Sequence, residues 1–109
     1  MKNKKLFKIT FLDQGKTLEL YARHVASSAL WGFTEVGDIV FDQQEGLVID
    51  PTEVRLREEF GNTRVLHLPI QCIVRVEEVQ KREPLVIRDA VSGERVVTPF
   101  PLAPSLRKP

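Results

Sequence analysis

"TRVLHLPIQCIVRVEEV", Thr63 to Val79, is the most apolar stretch of the chain, and it carries a proline near its centre. Whether Pro69 breaks one strand or joins two decides the fold. Val65 and His67 alternate with Leu66 and Leu68, so a strand enters the proline. Cys72, Val74 and Val76 alternate with Ile73 and Arg75, so a strand leaves it. Proline has no N–H to give to a ladder and does not sit in the middle of a central strand. Ile70 and Ile73 stand three apart, the period of a 3-10 turn. The stretch therefore reads as a corner. One strand covers about 63–68, a single tight turn buries Ile70 or Ile73, and a second strand covers about 72–79.

Immediately upstream lies the clearest helix signal, "DPTEVRLREEFGN". Asp50 is a capping residue, Pro51 fits the first helical position and Glu53 completes a capping box. Gly61 is a natural terminator. The spacing predicts a helix over 51–60 with one apolar pair, Leu56 and Phe60, lying on a sheet. Glu53–Arg57 and Arg55–Glu59 have the spacing of helix-surface ion pairs.

Further out, "KLFKITFL" places Phe7, Ile9 and Phe11 on one face and Lys8 and Thr10 on the other. "DQG" is a turn, and "KTLELYARHV" resumes the alternation with Leu18, Leu20 and Ala22, so the two segments form a hairpin. "FTEVGDIVF" follows a connector, Ala26 to Gly32, and its parity is broken, because Phe33 and Val36 cannot point the same way in a regular strand. A bulge at Gly37 is expected to reset the phase. "DQQEG" is another turn, and "LVID" is a short strand.

Beyond Val79 the charged break "QKREP" opens an extension. The expected organisation is a β domain over 1–80 and an extension over 81–109, with a hairpin over 85–97 turning at Ser92–Gly93. The tail "TPFPLAPSLRKP" is proline-rich and extended. Its Phe100 and Leu102 are candidates for a docking strip, on this barrel or on a second copy.

The chain of 109 residues is the size of one domain. Sixteen basic and fifteen acidic residues leave a formal charge of +1, which disfavours tight non-specific nucleic-acid binding. A single cysteine, Cys72, excludes an intramolecular disulfide and suits a reducing cytosol. Lys8 and Asp13 interrupt the apolar region that a signal peptide needs, and no run is long enough for a membrane helix. The expectation is a soluble cytoplasmic protein.

Little chemistry-bearing pattern stands out. His67 and Cys72 are the only close pair of soft ligands; five apart on a strand, they face opposite ways, and zinc wants about four ligands. They read as a surface imidazole and a core thiol. His24 lies near Ser27 and Ser28, without a nucleophile elbow or an orienting acid, and reads as a capped polar turn. Glu35, Asp38 and Asp42 fall near turns, and the six glycines are scattered singly, so no phosphate-cradling loop is formed. No catalytic residue, metal site, cofactor or small-molecule substrate is expected.

Two surfaces remain. Tyr21, Arg23, His24, Trp31 and Phe33 gather around the second strand and the connector. Tyr21 and Arg23 lie on the face opposite Leu20, which allows them to be exposed, and aromatics beside Arg make a stacking surface for a peptide or for bases. Against this, Trp31 and Phe33 also fit as a plug at one end of a barrel. The lysines of the first hairpin, Lys4, Lys5, Lys8 and Lys16, are candidate RNA contacts.

The phrases "ELYARHVASSALWGFTEVGDIVF", "LVIDPTEVRLREEFGNTRVLHLPIQCIVRVEEV" and "VTPFP" resemble a proteobacterial domain-of-unknown-function family, number 1820. That resemblance implies a bacterial protein and no activity. "HLPIQCIVRVEEV" is more weakly similar to Sm-type proteins, because SH3-like and Sm-like barrels join their last two strands through a 3-10 turn. An Sm protein has its helix before the first strand, a departure here. The fold expected is mostly β, a small antiparallel SH3-like or Sm-like partly open barrel with one short helix. The function expected is a non-catalytic binding or adaptor module, recognising a protein partner or a second copy. The alternative is an Sm-like RNA binder.

Overall fold

A computed structural model describes residues 5–41 and 50–96. The expected turn and strand of residues 42–49, Lys4, and the tail with Phe100 and Leu102 lie outside the described residues.

Seven elements follow in chain order: β1 (Leu6–Asp13), β2 (Lys16–Ser27), β3 (Phe33–Val40), α1 (Pro51–Phe60), β4 (Val65–Pro69), β5 (Ile73–Val79) and β6 (Arg88–Asp89). A 3-10 turn, Ile70–Cys72, joins β4 to β5. The main strands form an antiparallel sheet in the order β4-β3-β2-β1-β5, and β6 pairs with the start of β2.

Pro69 is the corner that its missing N–H requires. Of the two isoleucines expected to be buried there, Ile70 is 58% exposed and Ile73 is half-buried, so Ile73 takes the inward position. The corner has a large consequence. β4 and β5 are the two outer strands of the sheet, yet three residues connect them. Four inter-strand steps in a flat sheet would separate them by roughly 19 Å, whereas three residues of 3-10 helix rise roughly 6 Å. The sheet must therefore curl until its edges approach. Its ladder is not closed, since no β4–β5 pairing exists among the described residues.

The curl encloses the core. Ile9, Phe11, Leu18, Leu20 and Ala22 of the hairpin meet Val36, Leu68 and the helix residues Leu56 and Phe60. Phe60 sets its ring edge against Phe11, with centroids 6.2 Å apart. The helix starts as its sequence dictates, with the Asp50 carboxylate accepting from the Thr52 N–H at 3.0 Å. It ends at Gly61, where a Cβ would run into the Arg57 carbonyl.

Two sequence expectations change. No register shift occurs at Gly37: β2 and β3 keep one register from Ser27↔Thr34 to Tyr21↔Val40, interrupted at Asp38 between His24↔Gly37 and Ala22↔Ile39. The phase problem is real but falls on Asp38, whose φ of 52° is left-handed. Asn and Asp tolerate that region better than most residues. The bulge lies instead in the β1–β5 pair, between Thr10 and Phe11, opposite Val74.

The extension is part of the same core. Leu85 and Ile87 are buried with the barrel residues. The hairpin around Ser92–Gly93 forms over Ile87–Val96, with Val96 N–H donating to the Ile87 carbonyl at 2.7 Å.

Candidate interaction surface

The candidate aromatic patch separates into two environments. Tyr21 is 2% exposed, so it is not part of an exposed stacking surface. It does lie on the sheet face opposite Leu20, but residues 82–87 run across that face as a strap. The Arg82 guanidinium stacks over the Tyr21 ring at 5.3 Å, and the Glu83 N–H donates to the Tyr21 hydroxyl at 3.1 Å. The Val86 N–H donates to Glu19 Oε1 at 3.1 Å. Arg82 Nη2 also donates to both oxygens of Glu53, each at 3.1 Å, and Glu53 is almost wholly buried. The strap thus satisfies the tyrosine hydroxyl and a buried carboxylate together, as burial of such groups requires.

Trp31 is the opposite case. It is 95% exposed and plugs nothing. Its turn is nevertheless tightly held. Ser28 N–H donates to the Phe33 carbonyl and Phe33 N–H to the Leu30 carbonyl, each at 3.2 Å. The Leu30 N–H donates to Ser28 Oγ at 2.8 Å, and that hydroxyl also bonds His67 Nδ1 at 2.8 Å. Gly32 has φ 83°, a value that glycine adopts without strain. Its carbonyl accepts the Ile70 N–H at 2.9 Å, which ties the turn to the 3-10 corner. Exposed Leu30, Trp31 and Ile70 therefore share one end of the barrel. Phe33, half-buried, pairs across from Pro69 beneath them.

His24 Nε2–H donates to Glu35 Oε2 at 2.8 Å, and Arg23 Nη1 donates to the Lys5 carbonyl at 3.4 Å. Glu35 stands directly across the β3–β4 pair from His67. Of the residues read together as a capped polar turn, Ser28 caps one through the Leu30 N–H, whereas His24 and Ser27 lie in β2. His67 lies in β4 and Cys72, half-buried, in the 3-10 turn. Among the described residues no three His, Cys, Asp or Glu side chains gather to hold a metal ion. Of the candidate RNA contacts, Lys8 pairs with Glu19 at 3.5 Å and sits across from Glu77. Lys5 is exposed and Lys16 half-buried. No helix among the described residues is long and apolar enough to cross a membrane.

Leu30 was not marked by the sequence, and Ile70 was marked as a candidate for burial rather than for the surface. Both fall in segments without strand periodicity, where exposure has no pattern to betray it. In the terminal hairpin, the Ser92 and Val91 N–H groups hold the fully exposed Asp89 carboxyl below its ordinary value.

A family model described as a domain of unknown function, DUF1820, matches residues 5–102. The chain belongs to that family. No curated protein and no solved structure matches it. The DUF1820 match takes in the strap and the hairpin after it as well as the barrel strands.

Proposed function

We propose that this DUF1820 chain is a non-catalytic binding or adaptor module, meeting a protein partner through the turn that carries Trp31. One observation carries the reading: Trp31 stands 95% exposed on a turn held by hydrogen bonds, beside Leu30 and Ile70. Tryptophan is enriched among the residues that dominate interface energies. A turn ordered before binding loses little entropy when it docks. Near-balanced charge, and the Glu19 and Glu77 carboxylates beside Lys8, favour protein over RNA.

The test is affinity capture from the native cell with and without nuclease, comparing the native chain with Trp31→Ala. A protein that persists after nuclease and is lost with Trp31→Ala supports the reading. Partners lost to nuclease, but kept by Trp31→Ala, support RNA instead. RNA binding through about four phosphates would show a log–log salt slope of about −3 for single strands.

A further inference from the structure

The β5 edge is a second surface, separate from the Trp31 turn. β5 has β1 on one side and no strand on the other among the described residues. The outward row of backbone groups on such an edge is a template for another strand. The edge is also apolar: Val76 is 41% exposed and Val74 more so. Val76 stands directly across from the fully buried Ile9, so it shares the face of the core residues without being covered like them.

We propose that β5 pairs antiparallel with β5 of a second copy of this chain, about a two-fold axis at Val76. Register selects the axis. A two-fold axis perpendicular to a sheet must place one residue opposite its own copy, because side chains alternate between faces. The regular stretch of β5, Arg75–Val79, gives few choices. An axis at Arg75 sets arginine on arginine. Axes at Glu77 or Glu78 set glutamate on glutamate. Like charges directly opposite are unfavourable. An axis at Val79 leaves half of the ladder beyond the end of the strand. Only an axis at Val76 places valine on valine with strand on both sides of the axis. It also sets Arg75 of each copy against Glu77 of the other, two opposite-charge pairs from residues that already lie 3.8 Å apart within one chain.

The same axis sets Val74 opposite Glu78, where the bulge ends the regular ladder; beyond it Ile73 lies on the core face across from Phe11, whereas Val79 lies on the other face across from Leu6. The three central pairs avoid the bulge opposite Val74. The charges that punctuate this edge thus select one register of self-pairing and oppose its neighbours. β4 is the poorer edge for a copy, being five residues long and ending at Pro69, which has no N–H to donate.

Sedimentation equilibrium of the full chain tests the proposal. Arg75→Glu and Glu77→Arg should each weaken the dimer about tenfold or more. The double variant, which exchanges the charges, should restore it. All four side chains in the exchanged pairs are solvent-facing, so folding is checked by an unchanged melting curve. A monomer at every concentration, assembly beyond a dimer, or a double variant as weak as the singles would each overturn it. A second readout does not rely on charge. In a Cys72→Ser background, Val76→Cys should oxidise to a symmetric cross-linked dimer, since opposed antiparallel Cα atoms are about 4.5–5.5 Å apart, within disulfide reach. Val74→Cys, opposite Glu78, should cross-link far more slowly. Equal rates would overturn the register. Trp31→Ala should leave the dimer intact, so failure of this proposal and failure of the Trp31 reading are distinguishable.

Discussion

Tyr21 and Trp31 lie ten residues apart on one strand-and-turn segment, and the molecule treats them oppositely. Tyr21 is covered by the strap of residues 82–87, with its hydroxyl bonded to the Glu83 N–H and its ring under Arg82. Trp31 is bare, although the turn beneath it is fixed by bonds to Phe33, Ser28, His67 and Ile70. The difference teaches what each aromatic is for. The covered one joins the extension to the barrel. The uncovered one sits on a held turn without being buried by the fold, which is the basis of the contact role proposed for it.

The largest effect should come from removing the cover. Arg82→Ala leaves the buried Glu53 carboxylate without its guanidinium and should cost about 3–5 kcal/mol, read by urea denaturation. A loss below about 1 kcal/mol would mean that the strap is not a structural latch. Ile87→Ala should cost about 3 kcal/mol by the cavity it opens. If that variant melts like the native chain, the extension does not share the core. Asp50→Ala should cost about 1 kcal/mol through the helix cap, a local effect seen in the same melting curves.

The contrast also sorts what was readable beforehand. Pro69 and the Asp50–Pro51 start declare themselves, because a missing N–H and a capping carboxylate act on neighbours in the chain. The hairpin faces around Ile9 and Leu20 follow from a period of two. Burial of Tyr21 does not, since its cover arrives from Glu83, 62 residues later, in a segment with no strand pattern. Glu53 reads as a capping-box residue, but its partner Arg82 is 29 residues away. Exposure of Trp31 was equally hidden: an aromatic next to a glycine turn fits a plug as well as a contact, and only the three-dimensional placement of Ile70 and the turn separates them.

A smaller and more local effect concerns the hairpin that follows the strap. The Asp89 carboxyl is held below its ordinary value by the Ser92 and Val91 N–H groups. A lowered folded value means that this contribution is present above the unfolded value and lost as pH falls through the folded one. Hydrogen exchange should therefore show the amides of Val91 and Ser92 losing protection below about pH 4, and Asp89→Asn should flatten that dependence. Unchanged protection at low pH would remove the Asp89 turn from the account. The smallest effect on stability belongs to Trp31→Ala, which should move the unfolding free energy by no more than about 0.5 kcal/mol. A larger loss would place Trp31 with Tyr21 among the residues that the fold needs.

Trp31 is the only tryptophan in the chain, so its fluorescence reports this one site. Collisional quenching by acrylamide, measured on the isolated native protein, tests directly whether the residue is bare. Red-shifted emission and quenching close to that of a free tryptophan are expected, with anisotropy that follows the tumbling of the whole molecule because the turn is held. Blue-shifted emission that acrylamide barely reaches would contradict this, since Trp31 would then be covered by its own chain and unavailable to any partner.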